Sequence, residues 1–326
     1  MKKDLNQQQL QAVEYLEGPL LVFAGAGTGK TRVITYRIVH LLERGEHPEN
    51  ILAVTFTNKA AEEMRNRVEK LVPGKGKLVW ISTFHSFSAK ILRLEAKKGT
   101  TRNLGISPNF VIYDEVDQKD LVKECIREMN LEEKKYRPGL FVDIISRAKD
   151  DLIDADSYAI LSLANNDQFR QVVALVYKKY QKKLSLANAL DFGDLIMKTV
   201  FLLRDNPSLQ EKYQRQFRYI LIDEYQDTNR AQYLLAKYLA GKYRNICVVG
   251  DDDQAIYSWR GANIENIFQF EKDYPETKMV KLERNYRSTP EILDTAWQVI
   301  KNNQYRKEKR LWTRRAHGQV VVYQEL

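Results

Sequence analysis

Ala24-Gly25-Ala26-Gly27-Thr28-Gly29-Lys30-Thr31 stands between a short apolar run, Pro19–Ala24, and a segment of helical periodicity, Thr31–Leu42. Glycines at this spacing permit a tight turn that aims successive backbone N–H groups at phosphate oxygens, and the N-terminus of the following helix adds positive potential. Lys30 is placed to reach β- and γ-phosphates, and Thr31 to offer its hydroxyl to Mg2+. The string departs from GxxxxGK[ST] at one point, where Ala24 holds the first glycine position. A strand before and a helix after are nevertheless the context that a phosphate-binding loop requires, and an incidental glycine-rich turn does not account for them.

Working outward, apolar runs rich in Val, Ile and Leu recur at Ile51–Phe56, Leu78–Phe84, Tyr219–Ile222, Ile246–Val249 and Met279–Leu282. Runs apolar on both faces are the mark of buried parallel strands, and helix-periodic segments such as Ala60–Leu71 lie between several of them. The alternation predicts an α/β fold, a parallel sheet covered by helices. Roughly 135 residues separate Phe84 from Tyr219, whereas a βαβ crossover needs only ~10 to 30, so an inserted domain is expected. Its stripes Leu121, Val122, Cys125, Ile126, Met129 and Phe169, Val172, Val173, Val176, Tyr180 make it mostly α-helical. After Glu283 a helix from Glu291 to about Asn302 and a strand at Gln319–Gln324 are expected, as the start of a further α/β unit. The domain boundaries expected are 1–89 and 215–283 for the two parts of the large parallel sheet, 90–214 for the insertion and 284–326 for the incomplete unit.

A phosphate loop needs a second strand to hold the metal and the attacking water. Ile220-Leu221-Ile222-Asp223-Glu224 carries two carboxylates to the end of a buried strand, where Asp223 can bind Mg2+ through a water and Glu224 can polarise a nucleophilic water. Such carboxylates sometimes serve only as helix caps; beside a phosphate loop the catalytic role is favoured. Gln254, in Val249-Gly250-Asp251-Asp252-Asp253-Gln254, sits where a strand-end amide could sense the γ-phosphate or its water. Thr55-Phe56-Thr57-Asn58-Lys59, Ser82-Thr83-Phe84-His85-Ser86-Phe87 and Ala255-Ile256-Tyr257-Ser258-Trp259-Arg260-Gly261 mix hydroxyls or amides with aromatics. That combination binds phosphates and stacks on unpaired bases. For Phe84 and Phe87, packing beneath the sheet is an equal alternative; for Tyr257 and Trp259 stacking is favoured. His85 fits a hydrogen-bonding or phosphate-contacting role better than that of a general base.

The 326 residues, 44% of them hydrophobic, can bury more than one core. No apolar stretch approaches the ~20 residues of a membrane span, and the polar start does not resemble a signal peptide. Cys125 and Cys247 stand far apart, which argues against a disulfide framework or a zinc cluster and for a reducing cytoplasm. The net charge of +9 favours polyanionic partners without identifying one. Arg284–Leu326 is the most basic stretch, with nine Lys/Arg against four Asp/Glu.

Taken in order, AGAGTGKTR, VTFTNKAAEEM, STFHSF, ILIDEYQDTN, VVGDDDQAIYSWRGA and LERNYRST resemble the motifs of superfamily 1 DNA helicases of the UvrD/Rep/PcrA group, over essentially the whole chain. Leu5-Asn6-Gln7-Gln8-Gln9 is similar to the family's adenine-reading motif. The resemblance implies a RecA-like P-loop NTPase sheet with a helical insertion and the start of a second RecA-like domain. It implies ATP and Mg2+ as ligands, with Gln9 and Tyr286 on adenine. Ala24, Gly25, Ala26, Gly27, Thr28, Gly29, Lys30, Thr31 and Arg32 would surround the phosphates, with Thr31 and Asp223 at the metal. Lys30, Asp223, Glu224, Gln254 and Arg287 would be catalytic, Arg287 as an arginine finger. Phe56, Thr83, His85, Phe192, Tyr257, Trp259 and Arg260 would meet single-stranded DNA; in Leu190-Asp191-Phe192-Gly193-Asp194, Gly193 departs from the acid often found there. The implied partners are single-stranded DNA, single/double-strand junctions and repair or replication proteins, met by a monomer in the cytoplasm at the nucleoid, with no membrane. Because the chain ends before the family's second-lobe motifs, weak or no unwinding by the chain alone is expected. The motor of a helicase–nuclease and a DNA- or partner-binding segment without turnover are the alternatives, with a P-loop kinase or GTPase more distant.

Overall fold

In a computed structural model, residues 4–164, 167–303 and 306–322 are described. Their strands are β1 Leu20–Ala24, β2 Ile51–Thr55, β3 Trp80–Thr83, β4 Val111–Tyr113, β5 Ala189–Asp191, β6 Tyr219–Ile222, β7 Ile246–Gly250 and β8 Lys278–Leu282. By packing, the chain divides into two units: Met1–Thr83, Glu211–Thr228 and Leu239–Leu326 in one, Phe84–Gln210 and Asn229–Tyr238 in the other.

In the first unit six strands form one sheet in the order β3-β2-β6-β7-β1-β8, and every pairing is parallel. All residues of β1, β2, β6 and β7 are buried, which is why these strands read as unbroken apolar runs. Edge strand β8 is instead only partly buried, exposing Lys278 and Lys281; lysines on an edge discourage pairing with another chain. Val33, Ile34 and Ile38 of the helix Lys30–Glu43 and Ala61, Met64 and Val68 of the helix Asn58–Leu71 share one core with Leu20, Val22, Ala53 and Leu221. The architecture is the α/β parallel sheet expected of a RecA-like ATPase.

Several local expectations need correction. Leu78–Phe84 is not one strand: Gly76–Leu78 is a 3-10 turn and Phe84 already begins the helix Phe84–Lys97, leaving only Trp80–Thr83 extended. No strand forms over residues 319–322, where Val320 and Val322 are exposed without a pairing partner, and residues 323 and 324 lie outside the described residues. A single parallel bridge joins Arg284 to Trp312.

The second unit is mostly helical. Val122, Cys125 and Ile126 of Glu115–Glu128 pack with Phe141 and Ile145 of Pro138–Asp150 and with Val173, Val176, Tyr177 and Tyr180 of Gln168–Leu186, so both sequence stripes face this core. A two-stranded parallel sheet, β4 with β5, was not expected from the sequence. Asp150, closing its helix, accepts a 2.6 Å hydrogen bond from Asn229 Nδ2. Burial first, then Asp151 and Asp191, raises its pKa to about 7.

A carboxyl group whose folded pKa lies above its unfolded value favours the fold while protonated, and that contribution is lost as pH rises from about 4 through about 7. Asp150→Asn should therefore raise the unfolding free energy at pH 8 by on the order of 1–3 kcal/mol, leaving it nearly unchanged at pH 4. Urea denaturation at the two pH values measures this; an equal change at both would contradict it.

Candidate functional site

Parallel pairing brings the C-terminal ends of all six strands of the large sheet to one edge, and six of the motif strings fall at those ends, one at each. After β1 the loop turns through Gly27, φ 70°, and Gly29, φ 91°, both in the left-handed region that side chains disfavour. A Cβ on Gly27 would lie 2.7 Å from Asn285 Nδ2, so space as well as conformation requires glycine. The helix Lys30–Glu43 then starts from Gly29 with no side-chain cap, leaving its first N–H groups to an anion.

Gln9 braces this loop from outside. It is fully buried, its Nε2 donates to the Thr28 carbonyl at 2.9 Å, and its Oε1 accepts from Asn6 N at 3.1 Å. Asn6 Oδ1 in return accepts from Gln9 N at 2.7 Å, a reciprocal cap on the helix Gln7–Glu14. Thr28 Oγ1 closes the turn onto the Gly25 carbonyl at 2.7 Å.

Four of the residues expected at the nucleotide and metal meet in two pairs. Lys30 Nζ lies 2.7 Å from Glu224 Oε2, and Thr31 Oγ1 is 3.4 Å from Asp223 Oδ2. Burial, and then Glu224, raises the Asp223 pKa to about 6, against the opposing pull of Lys30. A hydroxyl beside a buried carboxylate is an oxygen-only donor pair, the kind Mg2+ takes, and a nearby cation would relieve the cost of the buried charge. Glu224 itself is strained, with φ 50° and ψ 46° for a non-glycine residue, a conformation that costs on the order of 1–3 kcal/mol and clusters at functional sites.

Two residues that bind this edge together were not singled out in the sequence. Gln226 Nε2 donates to Glu224 Oε2 and Asp227 Oδ2, each at 3.0 Å, while its Oε1 accepts from Asp251 N at 3.0 Å. It thereby ties the end of β6 to the end of β7. Asn285 Nδ2 donates to the Ala26 carbonyl at 2.6 Å, and its Oδ1 accepts from Arg287 N and Ser288 N at 2.8 and 2.7 Å. Both lie inside quoted motifs, but a polar residue does not reveal its partner by type or spacing. Gln254 Nε2 bonds Asp251 Oδ2.

Tyr286 follows Asn285 onto the loop, donating its N–H to the Gly27 carbonyl at 2.9 Å. Its hydroxyl accepts from Asn6 Nδ2 at 3.0 Å, and its ring is exposed with the Arg284 guanidinium 4.8 Å from the centroid. Arg287 is exposed, and its side chain makes no ion pair among the described residues. Arg32 is exposed and lies 5.9 Å from the Tyr36 ring centroid.

Of the residues expected at nucleic acid, four have described side chains in the first unit. Phe56, just past β2, and Tyr257 are each 37% exposed; Trp259 is 61% exposed, its ring tilted at 6.4 Å from that of Tyr257. Thr83 is buried at the end of β3, 3.5 Å from Asn58 Oδ1. The side chain of Arg260 lies outside the described residues. In the second unit His85 and Phe192 make an edge-to-face pair at 5.6 Å, and burial lowers the His85 pKa, favouring neutral imidazole. Phe84 and Phe87 are buried, so packing is what they do.

Phe192 opens the helix Phe192–Arg204, capped by Asp191, whose Oδ1 accepts from Asp194 N at 2.8 Å. Lys149, fully buried, pairs with both Asp191 and Asp194. A Cβ on Gly193 would stand 2.9 Å from the Lys149 side chain, so in this chain lysine and glycine belong together.

Comparison with known proteins bears on this geometry. The family model described as UvrD/REP helicase N-terminal domain matches residues 5–275. A protein named ATP-dependent DNA helicase PcrA from Staphylococcus aureus (strain Mu50 / ATCC 700699) is 50% identical over 98% of this chain and 43% of its own length. Its namesake from Staphylococcus epidermidis (strain ATCC 12228 / FDA PCI 1200) is 51% identical over 99% of this chain and 43% of its own. The chain thus spans less than half the length of the relatives it matches.

Replacing Asn285 with Ala would leave the Ala26 carbonyl and two backbone N–H groups without their partner. The variant should lose roughly 1–3 kcal/mol of unfolding free energy, and amide exchange should quicken across residues 25–29. An unaltered exchange pattern in that loop would contradict the bracing role.

Proposed function

This chain belongs to the UvrD/REP helicase family, and from that premise we propose that it supplies the ATP site and part of the DNA-contacting surface of an ATP-driven DNA helicase. The carrying observation is the meeting of Lys30 with Glu224 and of Thr31 with Asp223 at the strand ends. Mg-ATP is the proposed ligand. Bound there, it would supply the phosphoanhydride to be cleaved; the chain's residues would bind, orient and polarise. Lys30 and the uncapped amides at the start of Lys30–Glu43 would hold the phosphates, and Thr31 and Asp223 the Mg2+. Glu224 would orient the attacking water, Gln254 would contact the γ-phosphate end and Arg287 would meet charge developing on it. Tyr286 and Gln9 are assigned to the adenine side, Gln9 through the loop it braces.

Single-stranded DNA is the proposed polymer, stacked on Tyr257 and Trp259 and met by Phe56, Thr83 and Arg260, with His85 and Phe192 as further contacts. Translocation, opening of strand junctions, and a place in repair or replication restart, in the cytoplasm at the nucleoid, belong to the same proposal. It also includes the division into ATPase segments 1–89 and 215–283, insertion 90–214 and the start of a second RecA-like domain at 284–326. That the S. aureus and S. epidermidis relatives carry the name ATP-dependent DNA helicase supports this reading.

Lys30→Ala should weaken ATP binding by roughly 10- to 100-fold, the worth of a charge-assisted contact to phosphate, in a titration with a fluorescent ATP analogue. Binding that survives within twofold would remove Lys30 from the site. Trp259→Ala should weaken single-stranded oligonucleotide binding by about the ~1–3 kcal/mol of one stacked base while sparing nucleotide affinity. Parallel loss of both affinities would instead mark Trp259 as structural.

A further inference from the structure

Asp251, Asp252 and Asp253, at the end of β7, bring three carboxylates within 4.8 Å of one another. The chain itself supplies the cation. Lys309 Nζ stands 2.9 Å from Asp251 Oδ1 and 2.8 Å from Asp253 Oδ2, and also pairs with Asp252; the lysine is buried with only 3% of its side chain exposed. Burial alone would lower its pKa, but the three aspartates more than offset this and raise it, so the ammonium form is held. Arg306 adds a two-pronged contact to Asp253, at 3.1 and 3.0 Å, and Lys307 N donates to Asp252.

The segment carrying these cations is also fixed to the nucleotide loop. Trp312 N donates to the Glu283 carbonyl at 3.0 Å and Asn285 N to the Trp312 carbonyl at 2.7 Å. Leu311 fills the space over Gly25, where an added Cβ would collide with its methyl groups. Asp251 meanwhile accepts from Gln254 Nε2, and its backbone N–H donates to Gln226, which holds Glu224. A continuous polar chain therefore runs from Lys309 through Asp251 to Gln254, with a branch to Glu224.

We propose that Lys309 is a positioning residue for the γ-phosphate end of the nucleotide site, acting through Asp251 on Gln254. The inference rests on the assignment of Gln254 to the γ-phosphate. Without the ammonium, three crowded carboxylates repel one another and the 3-10 turn Asp252–Gln254 shifts with them. On the proposed assignment the remaining phosphate contacts would lie on the loop after β1, so loss of Lys309 should fall on recognition of ATP over ADP.

The test compares binding of a non-hydrolysable ATP analogue and of ADP to the chain bearing Lys309→Met, Lys309→Arg, Gln254→Ala, or Lys309→Met with Gln254→Ala. Lys309→Met should weaken the ATP analogue about tenfold with ADP within about twofold, Lys309→Arg should recover most of the loss, and the double variant should be no weaker than the stronger single one. Equal weakening of both nucleotides, no weakening of either, or additive losses in the double variant overturns the proposal. If Gln254→Ala leaves the preference for ATP unchanged, the assignment of Gln254 fails on its own, and the route through it fails with it. Should Lys309→Met not fold, Asp251→Asn breaks the same link and is judged by the same criteria.

Discussion

A sheet whose strands all run one way must end all of them on one edge, and the chemistry of this protein depends on that constraint. The strand order places β7 between β1 and β6, so the phosphate loop and the carboxylate pair straddle one strand end. Across that gap the Lys30 ammonium reaches Glu224. Of the polar side chains that brace the edge, Gln226 and Asn285 each connect one strand end to another, and Gln9 holds the loop after β1 from the first helix. Glu224 holds its left-handed backbone within this frame, since such strain persists only where the surroundings over-determine it.

How much of this was legible follows from what each residue's neighbours are. Strands buried on both faces announce themselves as apolar runs, and β6 was read to the residue, β1, β2 and β7 to within one. The run at Leu78–Phe84 misled because apolar character does not distinguish a strand from the first turn of a helix. Strands β4 and β5 are three residues each, and Val111 is exposed, so no periodicity could develop. At 319–322 three consecutive valines suit a strand by residue type, but β-propensity without a partner strand does not make a sheet.

The site was legible wherever chemistry demands one residue type at one place: glycines at positive φ, a lysine opening the helix that follows them, carboxylates after a strand. It was illegible where a polar side chain could have had any of several partners. Gln226 and Asn285 were inside the quoted strings yet gave no sign of the backbone groups they satisfy. By sequence Lys309 and Arg306 are only basic charge near the end of the chain, whereas the fold turns them inward onto three aspartates and Lys307 onto Glu271. The surface is accordingly less basic there than the composition implies, because these cations are paired with the chain's own carboxylates.

On the proposed function, the edge after β1 and β6 is a preorganised Mg-nucleotide site. Calorimetric titration of the chain with a non-hydrolysable ATP analogue, with and without Mg2+, tests it most directly. One saturable site whose affinity rises when Mg2+ is added is the expected result. Absence of saturable binding under both conditions, or binding indifferent to Mg2+, would contradict it.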